Sequence, residues 1–244
     1  MYGCYAGREI PTEFRMKVVL EDIDGVSFPF KEQYLKFIRE KYSLSNELLE
    51  SFESSDYTFL HEYLLNGAEK RYLKEIDKLE GEDNSIINFT KRTISEFGES
   101  PYFLRGIDGN VKELNKGLKD RDVKVIGLTA RCCDLRELNI YRNPREKTWE
   151  WNEAEKAGLD EIYYINTEDK HRIMDYLDNE VVCMVEDHPK SVEGFLERGI
   201  KCVLINKGQD HLKEHMYKLK EKYEDLLLIA EDSLEAKNIV KELV

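Results

Sequence analysis

Six short apolar runs restrict this chain's fold more than any other feature: residues 16–20, VKVIGL at 123–128, EIYYI at 161–165, VVCMVE at 181–186, KCVLI at 201–205 and LLLIA at 226–230. Continuous apolar runs of this length suit strands of a parallel sheet buried on both faces, not half-solvated strands, which alternate. The segments NVKELNKGLKDR, KHRIMDYLD and HPKSVEGFLERG precede the second, fourth and fifth runs. Each carries apolar residues at helical spacing, and the last stops at Gly199. The pattern predicts an α/β fold, a Rossmann-like doubly wound parallel sheet.

The interval between the first and second runs is far longer than a βα crossover requires. From Phe30 to Phe97 its pattern is helical: FKEQYLKFIREKY, SNELLESF, TFLHEYLLNGAEKRYLKEIDKLEG and NSIINFTKRTISEFG. Ser45 and Asn84 suit N-caps, and Gly81 and Gly98 suit stops. The expected organisation is an N-terminal extension at 1–15, a core domain at 16–29 and 99–244, and a helical cap domain at 30–98 inserted after the first strand. Met16, followed by KVVLEDIDG, reads as a natural start.

Length and composition bound the function. A chain of 244 residues with 41% apolar residues, 14 tyrosines and 10 phenylalanines can bury a sizeable core and is not of disordered type. A net charge of −13 repels phosphate backbones, so no extended nucleic-acid binding is expected. A small phosphorylated substrate needs only a local positive pocket, which a divalent cation and a lysine supply. No apolar run approaches the roughly 20 residues that span a bilayer, and the N-terminal stretch lacks a signal-peptide core, which predicts a cytoplasmic protein with no membrane partner. The five cysteines show no CxxC spacing and read as reduced thiols. A homo-oligomer is compatible with all of this.

In open α/β sheets ligands bind beyond the carboxyl ends of the strands. Those ends carry Asp22 and Asp24 after the first run, Thr129, Ala130 and Arg131 after the second, Thr167, Asp169 and Lys170 after the third, and Glu186, Asp187 and His188 after the fourth. Like charges as close as Glu21, Asp22 and Asp24 call for a cation among them. An ionised aspartate beside a divalent cation can attack phosphorus and form an aspartyl phosphate, a role that suits Asp22. Asp24, aimed by the turn at Gly25, suits the general acid and base. Thr129 and Lys170 can stabilise charge on the phosphoryl oxygens, with Ala130 and Arg131 beside them. Mg2+ prefers an octahedral oxygen shell, to which Asp22 and Asp187 can contribute, with Glu186 directly or through water.

The ordered set VVLEDIDGV, VIGLTAR, DK and VCMVEDHP resembles the four motifs of the haloacid dehalogenase (HAD) superfamily of phosphatases. The resemblance spans roughly residues 16–206. It implies a nucleophilic Asp22, an acid/base Asp24, a phosphoryl-binding Thr129, a charge-neutralising Lys170, and Mg2+ held by Glu186, Asp187, Asp22 and the main-chain carbonyl of Asp24. The helical insertion sits where that family's C1 cap sits. The stretch EDHPKSVEGFLERGIKCVLIN resembles the 5'-nucleotidase-like branch, which implies a nucleoside monophosphate as substrate. Two residues depart from the pattern. Glu21 stands where an apolar or aromatic residue is usual, which is expected to alter metal affinity or the nucleophile, and Glu186 replaces an aspartate.

The expected function is a Mg2+-dependent phosphomonoesterase. The alternative is a non-catalytic phosphate- or metal-binding regulatory protein on the same fold, which Glu21 and Glu186 favour and the DxD pair opposes. A nucleotide-sugar transferase reading of DID leaves Thr129 and Lys170 without a role. Among the remaining features, Cys132 and Cys133 read as packing, His211 and His215 as a solvated helix face, His188 as a neighbour of the metal ligands, and Ile107–Gly109 as a turn opening a helix. Trp149 and Trp151 suit a helix buttressing the sheet, and Tyr34, Tyr57, Phe59 and Tyr63 suit the core of the insertion.

Overall fold

The computed structural model describes residues 15–55, 60–66, 70–80, 85–130, 144–208 and 210–244. Its centre is a parallel sheet of six strands: β1 (Lys17–Asp22), β2 (Lys124–Thr129), β3 (Glu161–Tyr164), β4 (Glu180–Glu186), β5 (Cys202–Ile205) and β6 (Leu227–Ala230). Their order is β3-β2-β1-β4-β5-β6, so the chain reverses its direction of travel across the sheet between β1 and β4. That is the doubly wound arrangement, and its switch point lies at the carboxyl ends of these two strands.

Both faces of the sheet are covered, which is why the strands read as unbroken apolar runs. One face, with Val19, Ile23, Val125, Val185 and Val203, packs against α6 (Gly109–Lys119), α7 (Pro144–Glu155) and α10 (Ser233–Leu243) through Leu114, Trp151 and Val240. The other, with Val18, Leu20, Ile126, Met184 and Leu204, packs against α8 (Pro189–Leu196) and α9 (Asp210–Lys222) through Val192, Phe195 and Leu219.

Residues 30–98 contribute α1 (Phe30–Lys41), α2 (Asn46–Glu53), α3 (Leu60–Asn66), α4 (Lys70–Glu80) and α5 (Ser85–Gly98), with no strand among the described residues. Ser45 caps α2 by accepting from the Leu48 N–H at 3.3 Å, and Gly98 ends α5. The segments entering and leaving this region meet in one aromatic cluster. Phe28 packs edge-on against Trp151 at 5.8 Å and lies 6.5 Å from Phe97 and 5.9 Å from Phe103. Trp151 also donates its indole N–H to the Gly106 carbonyl at 2.9 Å, which ties α7 to the segment leading into α6. Tyr34 and Tyr63 are buried within the helical region.

Two elements differ from the sequence reading. The first strand continues through Glu21 and Asp22, because the Glu21 side chain is buried and the ladder with β2 runs on to the Asp22–Leu128 pair. The segment KHRIMDYLD forms no α-helix; its first six residues belong to a 3-10 helix at Thr167–Asp175. With three residues per turn, positions i and i+3 eclipse, which puts Lys170 and Ile173, its two buried residues, on one inward line. Ile107–Gly109 is a helix start: Asp108 caps α6 by accepting from Asn110 N at 2.9 Å and Val111 N at 3.1 Å. The expected N-terminal extension (but for Arg15), Tyr57, Phe59, Gly81, Asn84, Arg131, Cys132 and Cys133 fall outside the described residues. No helix among the described residues is long and apolar enough to cross a membrane.

Candidate active site

Because strand side chains alternate, Asp22 at the end of β1 points to the same face as Val18 and Leu20, toward the 3-10 helix. Glu186 ends β4, the neighbouring strand. Lys170 reaches between them: its Nζ donates to Asp22 Oδ1 at 2.6 Å and to Glu186 Oε2 at 2.8 Å. The three side chains are nearly inaccessible, with Asp22 4% and Lys170 3% exposed. Glu186 Oε1 also accepts from the main-chain N–H groups of Asp187 and His188, at 3.1 and 3.3 Å. Both of its oxygens are thus engaged, and it anchors the lysine and the start of α8 together.

Asp187 completes the acidic group. Oxygen atoms of Asp22, Glu186 and Asp187 lie within 4.8 Å of one another. Room for Asp187 comes from Gly25, which follows β1 in a left-handed conformation with φ +94°. A Cβ on Gly25 would stand 2.0 Å from Asp187 Oδ2, so no other residue fits while Asp187 keeps this position.

Between Asp22 and α1 the chain makes a tight turn. Ile23 N donates to Leu128 O at 2.9 Å, Gly25 N to Phe28 O at 3.0 Å, and Phe28 N to Ile23 O at 2.7 Å. This turn places Asp24 beside the end of β2, where Thr129 Oγ1 donates to Asp24 Oδ2 at 2.9 Å. Ala130 follows Thr129 directly. The structure therefore brings Asp22, Lys170, Glu186 and Asp187 into one cluster and pairs Asp24 with Thr129 at the same end of the sheet.

The electrostatics of the cluster are unbalanced. Burial first, and then the neighbouring Glu186 charge, hold the Asp22 carboxyl well above the usual range. Burial and Glu186 likewise push Asp187 up to about 7. Burial works in the same direction on Glu186, but the adjacent Lys170 ammonium outweighs it and leaves that carboxyl below its ordinary value. For Lys170 burial favours the neutral amine, yet Asp22 and Glu186 prevail and raise its pKa. One lysine thus serves three carboxyls, and burial together with the Glu186 charge keeps two of them from ionising readily. A hard divalent cation is the group that this oxygen donor set fits.

Glu21 lies elsewhere. It shares the face of Val19 and Ile23, opposite Asp22, and is buried in the core rather than in the acidic cluster. Sequence reasoning placed its charge next to the nucleophile; the pleat sends it to the other side. Burial pushes its carboxyl up to about 8, partly opposed by the nearby polar side chain of Asn115 on α6.

No protein-family model matches the sequence, and no curated protein matches it. Solved structures do. A protein assigned as a beta-phosphoglucomutase from Thermotoga maritima superposes with a TM-score of 0.54 at 18% identity, over 94% of this chain and 100% of that one. The fold is HAD-like. CbbY from Rhodobacter sphaeroides, solved in complex with phosphate, gives a TM-score of 0.50 at 13% identity, covering 90% of this chain and 96% of that one. YfnB from Bacillus subtilis, described as a HAD-hydrolase bound to magnesium, gives 0.51 at 10% identity, covering 79% and 87%. The first two likenesses extend over 94% and 90% of the chain.

Proposed function

We propose that this protein is a Mg2+-dependent phosphomonoesterase that works through an aspartyl phosphate on Asp22. The observation that carries the reading is the cluster at the switch point: a buried aspartate, a lysine bridging it to Glu186, a further carboxylate at Asp187, and a separate Asp24–Thr129 pair at 2.9 Å. The HAD-like fold supports it, as does the phosphate and the magnesium recorded with two proteins of similar fold.

In this reading Asp22 and Asp187 hold the metal, with the Asp24 main-chain carbonyl as a further ligand. Glu186 serves the metal site by fixing Lys170 and the start of α8. The bound cation supplies charge neutralisation among the carboxylates and polarisation of the phosphoryl group. Asp22 attacks phosphorus in line with the departing alkoxide, and the bond to that oxygen breaks as the Asp22–phosphorus bond forms. Asp24 delivers a proton to the leaving oxygen, then takes one from the water that cleaves the acyl phosphate. Thr129, Ala130 and Lys170 border the transferred group, Lys170 countering its charge, and Arg131, which follows Ala130 in the sequence, is assigned to substrate binding from the sequence alone.

Residues 30–98 are read as a helical cap of C1 type on the 16–29 and 99–244 core. The cap would exclude water and choose the substrate, a small phosphorylated metabolite with nucleoside monophosphates first in line. The test is phosphate release from p-nitrophenyl phosphate, nucleoside monophosphates and sugar phosphates, with Mg2+ or EDTA, for the wild type and Asp22→Asn. Release that needs the metal and disappears in the variant supports the reading and ranks substrates. No release from any compound, with Mg2+ still bound by calorimetry, overturns it.

A further inference from the structure

Glu21 is the buried ionisable group that the proposed chemistry does not use. Its carboxyl is fully inaccessible, and its Oε2 has no hydrogen-bond partner; the neighbouring Asn115 Oδ1 has none either. Its other oxygen, Oε1, accepts from the Ser27 hydroxyl. That hydroxyl also lies 3.2 Å from the main-chain carbonyl of Asp22, and the Ser27 carbonyl accepts from Asp108 N at 3.0 Å. Ser27 thereby ties the end of β1 to the start of α6 from the face opposite the acidic cluster.

The geometry points to Glu21 and Ser27 as a positioning pair: together they hold the turn over residues 22–28, and with it the direction in which Asp22 presents its carboxylate. The inference rests on the phosphatase reading for its catalytic consequence, but not for the turn itself. A leucine at position 21 would bury without the desolvation cost of a carboxyl, and buried polar groups replaced by apolar ones often leave stability unchanged or higher. What the carboxyl adds is an acceptor for a hydroxyl that sits on the nucleophile's own peptide. Small displacements of a nucleophile are costly in rate, and since Asp22 and the Asp24 carbonyl also belong to the proposed metal site, Mg2+ affinity falls with the same displacement.

The experiment compares the wild type with Ser27→Ala, Glu21→Gln and Glu21→Leu. Readouts are kcat and KM for p-nitrophenyl phosphate, the Mg2+ dissociation constant by calorimetry, melting temperature, and hydrogen exchange at the Gly25 and Phe28 amides that close the turn. Ser27→Ala is expected to lower kcat at saturating Mg2+ about tenfold or more and to weaken Mg2+ binding, with KM within about twofold and faster exchange at both amides. Glu21→Gln should restore near-normal kcat and protection, since a carboxamide accepts from Ser27 and donates to Asn115 Oδ1. Glu21→Leu should lose rate without a matching loss of melting temperature. Unchanged kcat and exchange in Ser27→Ala overturn the inference, as does an equal loss in Glu21→Gln that tracks melting temperature. If the wild type releases no phosphate, the phosphatase reading fails separately. The exchange comparison then decides the pair: faster in Ser27→Ala upholds it, unchanged overturns it.

Discussion

Gly25 and Asp187 occupy a space that admits one side chain: a Cβ on Gly25 would lie 2.0 Å from Asp187 Oδ2. Gly25→Ala therefore must move Asp187, and it also forces a left-handed φ of +94° on a residue with a Cβ. The expected outcome is at least about a tenfold loss of Mg2+ affinity by calorimetry, with a stability cost of about 1–3 kcal/mol from the strained backbone. Unchanged Mg2+ affinity would remove Asp187 from the metal site.

Lys170 is the cation that compensates Asp22 and Glu186. Lys170→Met leaves these acids buried without it, and breaking such a pair typically costs about 3–5 kcal/mol. Urea unfolding at neutral pH should show a loss of that order in metal-free protein. Saturating Mg2+ should recover part of it, because the cation replaces missing positive charge. Phosphatase activity should not return with the metal.

Glu21 gives stability a pH dependence of defined sign. Burial raises its carboxyl from an ordinary 4.5 to about 8 in the folded protein, with the nearby Asn115 side chain opposing and Asp108 adding repulsion. Between these two values the unfolded chain has lost a proton that the folded chain keeps, so stability declines as pH rises through this window and is greatest below it. Asp187, pushed up to about 7, acts in the same sense until a metal binds. Denaturation measured from pH 5 to pH 9 at saturating Mg2+ should retain the Glu21 part of this slope, and Glu21→Gln should flatten it.

Asp24→Asn separates the two chemical steps. The nitrophenolate of p-nitrophenyl phosphate departs without a proton, so formation of the aspartyl phosphate should persist while its hydrolysis, which needs Asp24 as base, slows. The expected record is a stoichiometric burst of nitrophenolate followed by slow turnover, with acid-stable label on the protein from labelled substrate. Slow release without a burst would place Asp24 in the first step alone.

Much of this architecture is visible in the sequence because a strand covered on both faces has no polar alternation to blur it; VKVIGL and VVCMVE announce β2 and β4 directly. The residues that gather around Lys170 are legible for a related reason, since they sit where those runs end. What composition and spacing miss is side-chain direction. The fall in hydropathy after Leu20 ends the apparent strand early, although the ladder continues to Asp22 and carries Glu21 to the far face. The engagement of both Glu186 oxygens depends on contacts made only in the folded chain. Likewise, a nine-residue segment cannot distinguish a period of 3.0 from one of 3.6, so helical spacing alone does not separate the 3-10 helix bearing Lys170 from an α-helix.

The reversal between β1 and β4 also sets a timetable. The lysine that contacts Asp22 leaves the ribosome 148 residues after it, and β4 later still. The helices of residues 30–98 make mostly local contacts and can form while the remaining strands are still being made. The acidic centre has no such local precursor: its halves meet only when β1 is flanked on both sides. A nascent or truncated chain ending before Glu186 would lack the proposed cation site, so metal uptake would report that β4 has joined β1.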